Sequence, residues 1–145
     1  MHKLRRSRPE DGSRALAIWA AAVDATHDFL LPGDRLAIGV EVAGFLPQAP
    51  LVLAVDSSDQ ATGFLLAASG VIEALFVDPA CHGQGIGHAL VRHAVEVLGA
   101  TKLEVNEQNM GARAFYARMG FAETGRSALD GQGRPYPLIQ MEFRA

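Results

Sequence analysis

The chain has 145 residues, 49% of them hydrophobic, and a formal net charge of −3 with histidine neutral. That is enough for one domain, residues 1–145, too apolar for disorder and too acidic for nucleic-acid binding by bulk charge. The lone cysteine, Cys81, excludes an internal disulfide and a multi-cysteine zinc site, and the longest apolar run, Ala15 to Val23, is far short of the ~20 residues of a membrane span.

In chain order, Lys3 to Arg8 reads as a short charged strand. Pro9-Glu10-Asp11 then starts a helix, with acidic groups at the positive end of its dipole, and it runs to about Ala25. Basic residues precede its apolar run, as in a leader peptide. The interruption by Pro9 to Gly12 and the helical spacing of Leu16, Trp19, Ala20 and Val23 favour a helix of a cytoplasmic protein. Thr26 to Gly33 breaks the pattern. A second helix is expected from Asp34 to Phe45, stopped by Pro47 and Pro50. Three strands follow, Leu51–Asp56, Thr62–Ala68 and Val71–Asp78, the last apolar on both faces like a central strand. Gly83-Gln84-Gly85-Ile86-Gly87 opens a long helix to Leu98, with Ile86, Leu90, Ala94, Val97 and Leu98 as its core face. Then come a strand Lys102–Asn106, a helix Gln108–Met119 with Gly120 as its cap, and a strand Phe121–Ser127. A turn at Asp130 to Gly133 and a strand Tyr136–Phe143 complete the chain. The order β-α-α-β-β-β-α-β-α-β-β predicts an α+β fold, helices packed on a mixed sheet.

The sharpest local signal is the passage from the strand Leu75-Phe76-Val77 into the turn from His82 to Gly87 and on into a helix. Glycines admit positive φ and close approach of a ligand. The helix start adds free N–H groups and a positive dipole end, together a phosphate site. A P-loop would need a Gly-Lys-Ser/Thr ending, which is absent. The dinucleotide pattern G-x-G-x-x-G fails in both registers, because His88 or Leu90 stands where its last glycine belongs.

His82-Gly83-Gln84-Gly85-Ile86-Gly87 resembles the acyl-CoA pyrophosphate loop of the Gcn5-related N-acetyltransferases (GNAT), written Arg/Gln-x-x-Gly-x-Gly/Ala. Asn106 to Phe121 resembles the family's Asn-x-x-Ala-x-x-Phe-Tyr-x-x-x-Gly-Phe helix. Further stretches, Asp24 to Leu30, Val105 to Asn109 and Gly131 to Leu138, are similar to a bacterial subgroup of that family, so the likeness spans nearly the whole chain. It implies a mixed, mostly antiparallel sheet of about seven strands with four helices on both faces. It also implies acetyl-CoA as co-substrate, no metal, and a small-molecule or protein amine as acceptor, acetylated by direct attack in a ternary complex. His82 departs from the Arg or Gln of the loop pattern.

The resemblance gives Leu75, Phe76, Val77 and the loop His82, Gly83, Gln84, Gly85, Ile86 and Gly87 to the cofactor. Asn109 would hold the pantetheine arm, and Tyr116, seven residues on along one helix face, would protonate the leaving sulfur. The acceptor amine needs a base, because a lysine-like amine is almost wholly protonated at neutral pH. Glu73, on the central strand, is the first candidate; His27 and Asp28, in the break between the first two helices that in this family borders the acceptor, are the other candidates. Glu41 and Asp34 join Asp28 as carboxylates that would attract a cationic acceptor if they line its pocket. Cys81 offers a covalent route that the family's direct transfer disfavours. The resemblance allows monomer or homodimer, and a CoA-binding sensor with the same fold and little turnover is the alternative reading.

Overall fold

The computed structural model describes residues 3–144. The elements run β1 (Lys3–Arg6), α1 (Gly12–Thr26), α2 (Pro32–Phe45), β2 (Val52–Val55), β3 (Ala61–Ala68), β4 (Val71–Val77), α3 (Ile86–Glu96), β5 (Lys102–Asn106), α4 (Met110–Arg118), β6 (Phe121–Ser127) and β7 (Leu138–Phe143). The seven strands form one sheet in the order β1-β2-β3-β4-β5-β7-β6. All neighbours are antiparallel except β4 and β5.

Strand alternation sends neighbouring residues to opposite faces. Leu53 and Phe64 pack with Ala15, Ile18 and Trp19 of α1 and with Ile38 and Val42 of α2. Ala54 and Leu65 pack with Ile86, Leu90, Val91 and Ala94 of α3 and with Tyr116 of α4. The helices thus cover both faces, as expected. Each fully buried aliphatic side chain contributes about 1.5–3 kcal/mol. Gly63 on β3 lets α3 sit close to the sheet, since a Cβ there would lie 2.9 Å from Ile86 Cγ2.

Element boundaries depart from the sequence reading for local reasons. Pro9–Asp11 is a separate 3-10 turn, and α1 starts only at Gly12. Pro32 starts α2 two residues early, at the position where its missing N–H costs nothing. The third helix ends at Glu96, and Gly99, at φ +70, turns the chain. Val97 and Leu98 are therefore exposed and not part of its core face. Asn109 lies just before α4 as its N-cap, and β7 begins at Leu138, leaving Tyr136 in the preceding loop. No helix among the described residues is long and apolar enough to cross a membrane.

Candidate active site

The parallel pair β4–β5 holds together over only two residue pairs, Val71 with Lys102 and Ile72 with Leu103. Next along β4 is a bulge. Ala74 pairs with Leu66 and Ile72 with Ala67, so Glu73 has no partner on β3. An extra residue bends its strand and raises its twist. Beyond it β4 and β5 separate, and a cleft of about 210 Å³ opens between them, bounded by Glu73 to Phe76 on one side and Leu103 to Asn106 on the other. The β4 edge facing the cleft has no strand partner there, which leaves backbone groups for an extended ligand. Ligands in sheets with parallel strands bind outside the carboxyl ends of those strands, and here that end leads into the glycine turn.

The turn is braced at its entry. Asp78 accepts the Ala80 N–H at 3.0 Å and the Arg14 guanidinium at 2.6 Å, and these two hold its carboxyl below the usual range. Gly83 and Gly85 sit at φ +80 and +76, with nothing within 4 Å of where a Cβ would be, so a ligand can approach both. Gly85 is the N-cap of α3, and the first intrahelical bond is Ala89 N–H to the Gly85 carbonyl at 3.0 Å. The N–H groups of Ile86, Gly87 and His88 thus precede the helical ladder. Gly87 also serves packing. A Cβ there would lie 3.3 Å from Phe115 Cζ, so this glycine lets α4 pack on α3. His82 is exposed in extended backbone at the mouth of the turn, and Gln84 is exposed beside it.

The cleft's far wall is α4. Tyr116 lines it, buried to 8% exposure, with its ring against Phe115 and Phe121. Its hydroxyl has no hydrogen-bond partner among the described residues, yet no fully buried side-chain polar atom is unpartnered, so the hydroxyl opens into the cleft. Burial pushes its pKa up to about 12, keeping the phenol protonated across the physiological range. Asn109 also lines the cleft, although not through the helical spacing that predicted it. As the N-cap its Oδ1 accepts the Ala112 N–H at 3.1 Å, which leaves both donors of its amide NH₂ for a ligand.

A second cleft of about 200 Å³ adjoins the first, lined by Trp19, Val23, Leu30, Ile38, Asp130 and Tyr136, with His27, Phe76, Asn106 and Leu138 shared between the two. Its roof is a knot between segments far apart in the chain. Tyr136 OH donates to the Asp34 carboxylate and accepts the Leu31 N–H at 3.1 Å. Phe29 stacks between Tyr136 and His27, at 6.1 and 5.2 Å. Arg134 pairs with Glu41 at 2.9 Å. The sequence reading offers Asp34 and Glu41 as attractors for a cationic acceptor, but both are spent on these neighbours. Asp28 is exposed and lines neither cleft; the carboxylate at the second cleft is Asp130.

Of the sequence-predicted residues the structure brings Glu73, Leu75, Phe76, Asn109, Tyr116 and His27 to the first cleft. The loop His82 to Gly87 lies at the end of β4, and Val77 packs beneath it in the core of α3. Cys81 is half-buried against that core and lines neither cleft. Sequence reasoning missed Trp19, Asn106, Asp130, Tyr136 and Leu138. The tyrosine between two prolines in Pro135-Tyr136-Pro137 is the one signal that marked a special position. Among the described residues no group of three or more His, Cys, Asp or Glu is placed to hold a metal.

The acetyltransferase (GNAT) domain family matches residues 42–142. The chain is 48% identical to the peptidyl-lysine N-acetyltransferase YjaB of Salmonella typhimurium strain LT2, over 99% of each chain. It is 46% identical to the protein of the same name in Escherichia coli strain K12, over 97% of this chain and 95% of that one. The solution structure of apo-form YjaB from Escherichia coli superimposes with a TM-score of 0.94 at 45% identity, covering 99% of this chain and 97% of that chain.

Proposed function

Because the chain belongs to the GNAT family of N-acetyltransferases, we propose that it moves the acetyl group of acetyl-CoA onto the side-chain amine of a peptidyl lysine, by direct attack within a ternary complex. The observation that carries this reading is the split between β4 and β5 at the Glu73 bulge, which opens a cleft lined by Leu75, Phe76, Asn109 and Tyr116 on the strand that leads into the glycine turn. The relatives named for peptidyl-lysine acetylation support the acceptor class.

The residues present fit acetyl-CoA. Backbone amides at the start of α3, opened by Gly83 and Gly85, suit a pyrophosphate. The unpaired edge of β4 at Leu75 and Phe76 and the amide of Asn109 suit the amide-bearing pantetheine arm. Acetyl-CoA supplies the thioester that donates the acetyl group. Tyr116 hydrogen-bonds the sulfur as it leaves. The second cleft receives the acceptor: Trp19, Leu30 and Ile38 give the lysine stem an apolar wall. Glu73, exposed on the rim of the donor cleft, hands the released proton to bulk water.

The test incubates the protein with acetyl-CoA and lysine-containing peptides beside a panel of small amines, reading thiol release and the mass of one added acetyl group. Acetyl-lysine formation above the small-amine rate is expected. Acetylation confined to small amines would move the acceptor class, and thiol release with none of them would remove the transferase reading.

A further inference from the structure

The two clefts meet at a shared wall of four residues, His27, Phe76, Asn106 and Leu138. A donor thioester in one cleft and an acceptor amine in the other have their contact there. Of the four side chains only an imidazole can take a proton from an attacking amine.

Its neighbours hold that imidazole in one tautomer. Thr26 Oγ1 lies 2.7 Å from the Ala22 carbonyl oxygen and 2.7 Å from His27 Nδ1. A hydroxyl has one proton, and a carbonyl can only accept, so that proton points to Ala22. The Thr26 oxygen is then left to accept, and His27 Nδ1 must donate to it. Neutral His27 therefore carries its hydrogen on Nδ1 and its lone pair on Nε2, the nitrogen left for a substrate. The Phe29 ring at 5.2 Å packs on the imidazole and fixes its plane.

On the acetyltransferase reading above, the geometry points to His27 Nε2 as the general base of the reaction, with Thr26 as the residue that positions it. The amine nitrogen forms the C–N bond to the thioester carbonyl carbon, and its N–H proton passes to Nε2. The C–S bond breaks with its electron pair on sulfur. The thiolate leaves on a hydrogen bond from the Tyr116 hydroxyl and takes its proton from bulk water, to which His27 gives up its own. The products are an amide and a free thiol. Burial also lowers the His27 pKa, partly offset by the Asp28 charge, so the base is unprotonated at neutral pH. The other titratable groups around it are Glu73, Glu104 and Tyr116 in the donor cleft and Asp130 and Tyr136 in the acceptor cleft.

His27→Gln removes the base and keeps a polar side chain of similar reach. Its kcat/KM for a lysine peptide near neutral pH is expected to fall about 10²-fold, with acetyl-CoA affinity and thermal unfolding unchanged. The pH profile separates a base from a scaffold. Below the His27 pKa the wild-type kcat/KM falls with the square of the proton concentration, because amine and imidazole must both be neutral; in the variant only the amine remains and the dependence becomes first order. Ring ¹⁵N shifts of labelled protein, assigned against His27→Gln, should show the neutral Nδ1–H form, and Thr26→Val should shift it toward Nε2–H with a partial loss of rate. A variant with wild-type rate, an unchanged pH slope, or a neutral Nε2–H ring in the wild type would each overturn the assignment. A wild type that acetylates no amine would instead overturn the transferase reading beneath it.

Discussion

Replacing Tyr116 by phenylalanine isolates one hydroxyl. The ring packs against Phe115 and Phe121 at 5.3 and 5.9 Å and keeps those contacts in the variant. The hydroxyl has no partner to orphan among the described residues, so the cost to stability is near zero. The effect on rate follows from the phenol's acidity. Burial lifts it to about 12, while a free thiol ionises near 8.5, so complete proton transfer to the departing sulfur is uphill by roughly 5 kcal/mol. Tyr116 therefore acts chiefly by a hydrogen bond to the charge developing on sulfur. Such bonds contribute about 1.5–3 kcal/mol, which is roughly 10 to 10²-fold in kcat. The Michaelis constant for acetyl-CoA should hardly move, because the bond strengthens only as the sulfur gains charge. Steady-state thiol release with a lysine peptide measures both constants. Full activity in Tyr116→Phe would refute the reasoning and leave the residue as core packing; a loss above about 10³-fold would mean full proton transfer, and so a phenol much more acidic than its burial allows.

Gly85→Glu puts bulk and negative charge where the pyrophosphate would lie and forces a side chain into φ +76, so acetyl-CoA binding in calorimetry should vanish while unfolding stays cooperative at a cost of about 1–2 kcal/mol. Gly87→Ala meets Phe115 at 3.3 Å and should lower stability by about 1 kcal/mol while largely sparing cofactor affinity, which tests the separate roles of the two glycines. Glu73→Gln should slow turnover most at low pH, with recovery as pH rises; a uniform loss at every pH would argue against a proton-handling role. Asp78 is held below its ordinary pKa by the Ala80 N–H and Arg14, so its stabilisation is present above the unfolded value near 4 and is lost as pH falls through the folded one; thermal melts of Asp78→Asn should lose part of the wild type's acid sensitivity below roughly pH 5.

The fold was legible wherever one residue type answers a local question. Pro47 marked where α2 stops, and a run apolar on both faces marked the central strand β4. The strand-turn-helix around Gly83 and Gly85 was legible in the sequence, because positive φ and free N–H groups are properties of a few consecutive residues. Boundaries failed where a side chain changes role at an element's end. Asn109 looked helical by spacing, yet its amide oxygen caps the Ala112 N–H from outside the helix. Val97 and Leu98 continued an apolar pattern past the end of α3 at Glu96.

The acceptor side was hidden for a different reason. Its walls come from α1, α2, β4 and the loop before β7, and its roof closes when Tyr136 reaches Asp34 and Leu31, about a hundred positions away in the chain. No window along the sequence contains such a contact. The same holds for the bulge. Glu73 reads as one more strand residue until the register with β3 shows that it has no partner. That one unpaired residue is what turns β4 away from β5 and opens the donor cleft. The donor half of the site thus follows from local backbone chemistry and one irregular pairing. The acceptor half follows from tertiary closure around His27, the one proton-accepting side chain common to both halves. Substitutions in the loop before β7 or in α2 should therefore alter which amines are accepted before they alter acetyl-CoA binding, while substitutions from Asp78 to Gly85 should do the reverse.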